Sequence, residues 1–456
     1  MTNVGELQRI VGDDWVITRR EQMESYLLDA TPLAVRPEPA GNVVVVKPAS
    51  SEEISKVLRL ANREKTPVFP RGGGTGLVAG AIPTEDGIVL SLERLDKIEQ
   101  IDKENLMVVA QAGVTLGELL KAVEDADLLF PPHPGDEGAQ VGGLVACNAG
   151  GVRAVKYGVV RSYVKGLEVV LPTGEILNMG GKLIKNNTGL DLMHLLIDSE
   201  GILGVITKVI FRLCPKFGGT ATLVVSYDDR HDAINTVPEI LQSGVVPLAI
   251  EYVENDEVEV SAKHLGTKWP ATEGKAHLIA IVTGANEDEV YSQCEQICQV
   301  CQKHNAVDTL IAERKEEQAD ILKIRSEIYT ALKPRLADAL DITVPPASIG
   351  KVLDAVDEIA QRFDTDIPVY GHAADGNLHP HLMLDLLERG AFKEVKREVY
   401  KAAVDLGGVI TGEHGVGKTR LGEFGLYVDE KSRELMKGIK KLFDPNNILN
   451  PRTAVG

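Results

Sequence analysis

The chain has 456 residues, too many for one hydrophobic core, and the length alone predicts two or three domains. Its 49 Lys and Arg against 67 Asp and Glu leave a net charge of −18, which argues against a nucleic-acid or anionic-membrane surface while allowing a local basic pocket for an anionic ligand. No apolar run approaches the ~18 residues of a membrane span, and the start MTNVGELQRIVGDDW has the profile of neither a signal peptide nor a lipidation motif, so a soluble, cytoplasmic protein is expected.

Residues 43–48 (VVVVKP) read as a short buried strand, SSEEISKVLRLANREK as a helix with a Ser cap and an acidic first turn, and TPVFP as the next strand. After this βαβ opening, glycine-rich loops separate the short β-rich runs GIVLSLE, LMVVAQAG, YVKGLEVVLPTGEIL and GVITKVIFRL. That mixture suggests an α+β ligand domain rather than a doubly wound sheet. CPKFGGT (214–220) marks a boundary. Beyond it TLVVSY, LAIEYV and HLIAIVTG alternate with amphipathic helices around 230–243 and 286–304, predicting an antiparallel sheet with helices on one side. Cys294, Cys298 and Cys301 recur at i, i+4 and i+7 on the second of these helices and read as small buried hydrophobes, since no fourth ligand stands near them. Five cysteines, an odd count, suit a reducing compartment. FKEVKREVYKAAVDLG predicts a further helix, and KSRELMKGIKKLFDPNNILNP a last one stopped by Pro445.

Two glycine strings mimic nucleotide motifs and fail on context. GTGLVA (74–79) satisfies G-x-G-x-x-G/A, but a dinucleotide fingerprint needs a helix straight after it, and Pro83 leaves room for at most two turns. GEHGVGKT (412–419) satisfies G-x-x-x-x-G-K-[ST], yet only 37 residues follow Thr419, too few for the rest of a nucleotide triphosphatase sheet. A carboxylate and an imidazole held between Gly412 and Gly415 serve better as a metal ligand and a base. The clusters FPRGGGTGLVAGAIP, FPPHPGDEGAQVGGLVACNAGG and GGKLIKNNTGLDLMHLLIDSEGILGVIT lie close together in the chain and let backbone N–H groups crowd an extended anion, for which a dinucleotide is suitable.

The stretch VYGHAADGNLHPHLM gathers three histidines in an otherwise histidine-poor chain. Asp375-Gly376 predicts a two-residue type I′ hairpin turn, which makes His372 and His379 cross-strand partners with Cβ atoms roughly 5 Å apart, a spacing that suits two imidazoles on one metal ion. His381 points to the same side as His379.

Taken together, PRGGGTGL, PPHPG…VGGLVACNAGG, KYGVVRSYVKGLEVVLPTGEI, GGKLIKNNTGLDL, SEGILGVIT, GHAADGNLHP, TGEHGVGK and NNILNP resemble the FAD-linked oxidases of the vanillyl-alcohol oxidase type, in the glycolate oxidase flavoprotein subunit and D-lactate dehydrogenase branch. The resemblance runs from about residue 40 to the end. It implies an α+β fold with a two-lobed FAD-binding domain (1–215), a cap domain carrying the substrate site (216–405), and a C-terminal segment returning to the FAD domain (406–456). The FAD pyrophosphate is expected on Arg71, Gly72, Gly73, Gly74, Thr75 and Gly76, with further contacts from Pro132, Gly135, Gly142, Gly143, Asn148, Gly151, Gly201 and Ile206. Relatives that bind flavin covalently use a His or Cys in or near the first loop; His133 is the one such residue between Val43 and Val141, so non-covalent FAD is expected.

In this branch a divalent metal is held by residues that map onto His372, His379 and Glu413, and the ligand set suits Zn, Mn or Fe. His414 maps onto the catalytic base and Arg325 onto the cation for a substrate carboxylate, with Lys333 and Arg335 as weaker candidates nearby. Ala374 where Gly is common, Leu190 for Tyr, Pro346 for a basic residue and His381 for Asn or Thr depart from the family pattern and bear on substrate identity. The implied activity is FAD-dependent oxidation of a small 2-hydroxy acid, D-lactate or glycolate, with electrons passed to an iron–sulfur subunit, an electron-transfer flavoprotein, a cytochrome or a quinone. A non-catalytic electron-relay subunit and an oxidase using O2 are the alternatives. Any membrane association would then run through a partner.

Overall fold

The structure is a computed structural model that describes residues 3–455. Its first sheet runs in the order Val16–Ile17, Val43–Val46, Gly87–Ser91, Val68–Arg71, with the last three strands parallel. The helix Ser51–Glu64 makes the crossover between them, started by Ser50, whose hydroxyl accepts from Glu53 N, and ended by Lys65 in the left-handed region. The second sheet is antiparallel, in the order Ile98–Asp102, Met107–Gln111, Val205–Arg212, Val164–Val170, Ile176–Gly180. Helices Leu116–Asp125 and Val141–Ala146 bury Leu119, Val123 and Val145 against Val108, Val169 and Val209 of that sheet. The first of these helices is missing from the sequence reading, although Thr115 and Glu118 form a reciprocal capping box at its start.

From Gly219 onward the chain builds a wholly antiparallel sheet in the order Asp308–Ala312, Gly219–Tyr227, Ala276–Gly284, Ala249–Glu254, Val369–His372, Asn377–Met383, Leu336–Ala339. The expectation of helices on one side is corrected here. Leu223, Val225, Leu278 and Ala280 face helices Arg230–Gln242, Glu287–Lys303, Ile349–Arg362 and Phe392–Asp405, while Val224, Val253 and Ile279 face helices Asn255–His264, Lys315–Ser326 and Ile328–Leu332. The unbroken apolar runs in TLVVSY and HLIAIVTG reflect this burial on both faces, where a one-sided sheet would alternate. Cys294 and Cys301 lie in the first of these cores.

The second face is only partly covered by its helices. Where they stop, Val152 and Tyr157 of the glycine-rich lobe pack on Ala249 and Ile281, and Lys156 Nζ donates to Thr283 Oγ1 at 2.8 Å. The chain after Gly412 returns to that lobe: Val68 N donates to Ile448 O at 2.7 Å, Asn450 N to Val68 O at 2.8 Å and Lys418 N to Val78 O at 2.8 Å. The uncovered part of the sheet therefore confronts both the glycine loops and the C-terminal segment.

Glu257, in the first turn of Asn255–His264, is 7 % exposed, and its Oε2 has no hydrogen-bond partner. Burial, reinforced by the charge of Glu254, pushes its carboxyl up to about 8. A carboxyl held above its unfolded value keeps a proton that the unfolded chain has lost, so it lowers stability as the pH rises from 4.5 to about 8. Glu257→Gln cannot ionise. Its Tm advantage over the wild type is expected to be small near pH 5 and to grow steadily to pH 8.5 in thermal unfolding scans; a difference that does not change with pH would contradict the assignment.

Candidate active site

The histidine hairpin forms between strands Val369–His372 and Asn377–Met383, but with a different turn. A type I′ turn needs positive φ at both central residues, and of Ala373–Gly376 only Gly376 has it, at 83°. The loop instead spans residues 373–376, closed by Gly376 N donating to His372 O at 3.0 Å and by Asn377 N donating to Asp375 Oδ1 at 3.3 Å. His372 thus opposes Asn377, and His379 opposes Tyr370, which corrects the expected His372–His379 pairing by two residues. The physical reason is tertiary. Val344 crowds Gly376 so closely that a Cβ there would stand 1.9 Å from its carbonyl oxygen, and Val344 N donates to Gly376 O. A slip of two preserves the face, so the two imidazoles remain neighbours, with ring centroids 5.5 Å apart.

Glu413 brings the site together. Its Oε1 lies 3.6 Å from His372 Nε2, 3.6 Å from His379 Nε2 and 3.9 Å from His414 Nε2. The rings of His379 and His414 stack at 5.3 Å with 10° between their planes. Asp341, His379, Glu413 and His414 also each bring a ligand-type atom within 4.8 Å of one another. Burial works against charge on His372, but the Glu251 and Glu413 carboxylates outweigh it and hold that imidazole protonated well above its usual range. Burial and then the neighbouring His414 push His379 down to about 3, and burial pushes His381 down to about 4. Glu413 is buried as well, yet the imidazoles, His372 first, hold it down to about 2. Two histidines and one carboxylate make a ligand set that suits a divalent ion.

Arg325 stands beside this cluster, over the Tyr370 ring at 4.9 Å, with its Nη2 2.5 Å from Glu251 Oε2. Its Nε and the nearby Tyr329 hydroxyl are buried without hydrogen-bond partners. His381 stacks on Tyr370 at 4.8 Å, and Tyr329 lies 6.3 Å from His381. Lys333 and Arg335 fall in the short turn after Tyr329, where Arg335 faces Asp366 at 3.7 Å, away from the imidazoles. Glu251, Asp341, Tyr329 and Tyr370 were missed from sequence. The first two carried a signal, an acid inside an apolar run, alone in LAIEYV and one of two in ADALDITV.

The residues expected to hold FAD lie on adjoining loops. Arg71 ends its strand, and Gly72, Gly73, Gly74, Thr75 and Gly76 form the loop after it. Pro132 and Gly135 precede the helix Val141–Ala146, Gly142 and Gly143 lie in its first turn, and Asn148 and Gly151 follow it. Gly201 lies in the turn before the strand that carries Ile206, whose side chain joins the core. A Cβ on Gly73 would come within 2.5 Å of Gly138 O, one on Gly151 within 2.4 Å of His133 O, and one on Gly150 within 2.6 Å of Glu413 Oε2. The glycine loops therefore touch each other and the imidazole cluster. Gly76, Gly135 and Gly143, by contrast, have no atom within 4 Å of an added Cβ, and Arg71 Nη1 and Gln140 Oε1 are buried without partners. Open space rimmed by glycine backbone and unpaired polar atoms fits an anionic dinucleotide. His133 Nε2 faces Glu137 at 3.5 Å.

GEHGVGKT cradles no phosphate. The N–H groups of Gly412, Glu413 and His414 donate to Asp341, those of Val416 and Gly417 donate to Glu200, and Lys418 Nζ donates to Ala79 O, Gly80 O and Asn450 Oδ1.

Residues 43–180 match the family described as FAD binding domain, and residues 219–454 match FAD linked oxidases, C-terminal domain. The chain is 44 % identical over 433 residues to a D-lactate dehydrogenase of Archaeoglobus fulgidus, covering 95 % of this chain and 96 % of that one. It is 36 % identical to the glycolate oxidase subunit GlcD of Bacillus subtilis, covering 93 % and 91 %. The fold superposes on p-cresol methylhydroxylase with a TM-score of 0.80 at 18 % identity, covering 99 % of this chain and 96 % of that one. The chain therefore belongs to the FAD-linked oxidases, as an FAD-dependent oxidoreductase with the vanillyl-alcohol oxidase type of fold.

Proposed function

We propose that this protein oxidises a small 2-hydroxy acid, D-lactate or glycolate, to the 2-oxo acid and passes the electrons to a separate acceptor. The observation that carries this reading is the meeting of three imidazole Nε2 atoms at Glu413 Oε1, directly against the glycine loop at Gly150. The relatives' names, D-lactate dehydrogenase and glycolate oxidase subunit, support the substrate class.

Arg71–Gly76, Pro132, Gly135, Gly142, Gly143, Asn148, Gly151, Gly201 and Ile206 would hold FAD without a covalent bond, and His372, His379 and Glu413 would hold one divalent ion, Zn, Mn or Fe. When bound, the flavin supplies a hydride acceptor and the ion a Lewis acid for the substrate hydroxyl. The remaining work falls to side chains. Arg325 Nε and the Tyr329 hydroxyl, both unpaired, are donors offered to a carboxylate. Glu251 draws off part of the guanidinium charge and fixes its direction. His414 takes the hydroxyl proton at Nε2. Burial of the whole group excludes water from the reacting carbon. No helix is long and apolar enough to cross a membrane among the described residues. An iron–sulfur subunit or an electron-transfer flavoprotein suits the acceptor role, because Cys294 and Cys301 are packed into the cap core.

Anaerobic titration of the purified protein with D-lactate, L-lactate, glycolate and D-2-hydroxyglutarate, following flavin absorbance, tests the reading. D-lactate or glycolate is expected to bleach the flavin stoichiometrically. No bleaching by any of the four would exclude it, and rapid peroxide formation in air would identify O2 as the acceptor instead.

A further inference from the structure

Asp341 is fully buried, and its two carboxylate oxygens receive five hydrogen bonds. Oδ2 accepts from Thr411 Oγ1 at 2.7 Å and from the N–H groups of Gly412, Glu413 and His414 at 2.9, 2.9 and 2.8 Å, and Oδ1 accepts from Asn377 Nδ2 at 2.8 Å. A carboxylate offers about four lone-pair directions. Four of the five donors meet on Oδ2, which is therefore saturated and fixed by the loop, while Oδ1 takes only the Asn377 amide and is the oxygen turned toward His379. Asp341 acts as an internal anion filling the nest of backbone amides that GEHG presents.

The same carboxylate faces two imidazoles from behind. Asp341 Oδ1 lies 3.8 Å from His379 Nδ1 and Asp341 Oδ2 lies 3.9 Å from His414 Nδ1, and neither Nδ1 has another partner. On the far side of the cluster, His372 Nδ1 donates to Glu251 Oε1 at 2.6 Å. All three rings thus turn Nδ1 to a buried carboxylate and Nε2 to Glu413 Oε1. A proton kept on Nδ1 leaves the Nε2 lone pair bare, the tautomer that both a metal ligand and a base require.

We propose that Asp341 and Glu251 are positioning residues: Glu251 sets the ring of His372, and Asp341 sets the rings of His379 and His414 together with the loop that carries Glu413. This role rests on the reading of His372, His379 and Glu413 as metal ligands. It assigns one carboxylate, 72 residues before Glu413 in the chain, to two jobs: holding that ligand's backbone and orienting its neighbours.

The test compares wild type, Asp341→Asn, Glu251→Gln and Glu251→Met, each loaded with Zn2+ or Mn2+, by competition with a chromophoric chelator. FAD content and circular dichroism are measured in parallel. Asp341→Asn is expected to weaken ion binding by about 10–100-fold, because its amide must turn a donor toward one set of donors. Glu251→Met should lose a similar factor, while Glu251→Gln, which keeps an acceptor for His372 Nδ1, should retain most of the affinity. FAD content is expected to stay at wild-type level throughout, which a general loosening of the fold would not allow. If Asp341→Asn does not fold, the Gln and Met variants at 251 decide. Folded variants that bind the ion like wild type, or that lose ion and FAD in parallel, overturn the positioning role alone. Wild type that takes up no ion overturns the metal reading and this role with it.

Discussion

His414→Ala is expected to slow flavin reduction by a 2-hydroxy acid by about 10²–10⁴-fold while the yellow cofactor stays bound. The case is one of elimination among neighbours. His372 is committed elsewhere, since its Nδ1 donates to Glu251 Oε1 at 2.6 Å and its Nε2 faces Glu413, where it would hold the ion. His379 is pushed down to about 3 by burial and the adjacent ring, and Glu413 is held down to about 2, which makes both weak bases. His381 is engaged elsewhere, its Nδ1 lying 3.3 Å from Pro368 O and its ring stacking on Tyr370 at 4.8 Å. His414 is left, with its Nε2 turned into the cluster and its side chain 16 % exposed. Stopped-flow bleaching at saturating substrate under nitrogen measures the effect; a variant that bleaches at the wild-type rate would remove His414 from the role. FAD content measured on the same preparation separates lost chemistry from lost cofactor.

Glu413→Gln should cost on the order of a thousandfold in kcat/KM, the equivalent of several kcal/mol of lost charge stabilisation. Gln is nearly isosteric, so the close packing of this side chain on Gly150, where an added Cβ would meet Oε2 at 2.6 Å, is preserved. What changes is the charge at the point where His372, His379 and His414 converge. Elemental analysis of the purified variant is expected to show the divalent ion lost. A chelator should inactivate the wild type to the same degree, and Zn2+, Mn2+ or Fe2+ added back should restore the wild type but not the variant. Full activity in wild type verified to be free of metal would sink the assignment.

Much of the fold was legible because it rests on local signals. The helix at 51–64 announces itself by its Ser cap and periodicity, the helix at 430–443 by Pro445 beyond its end, and the strands around 43, 68, 87 and 205 by short apolar runs. The glycine strings lack the elements that the Rossmann and P-loop motifs need beside them, which is again a local signal. Less was legible where one signal had two structural meanings. The continuous apolar strands of the cap sheet marked burial, but not that helices cover both faces.

The hairpin shows the division most plainly. The period of two determined by itself that His379 and His381 share one face of a strand, and the register across the turn placed His372 on that face. Asp375-Gly376 was insufficient to set the turn, because the register depends on Val344 pressing on Gly376. Likewise the chain order determined that a glutamate and a histidine sit between glycines at 412–415. Only the tertiary structure decided that Asp341 closes that loop from 72 residues away and that Glu251 backs His372 from 121 residues away. Backbone preference and periodicity act over a few residues and are written in neighbouring letters. A buried carboxylate finds its donors through the packing of whole layers, and its energy depends on distances that no local pattern contains.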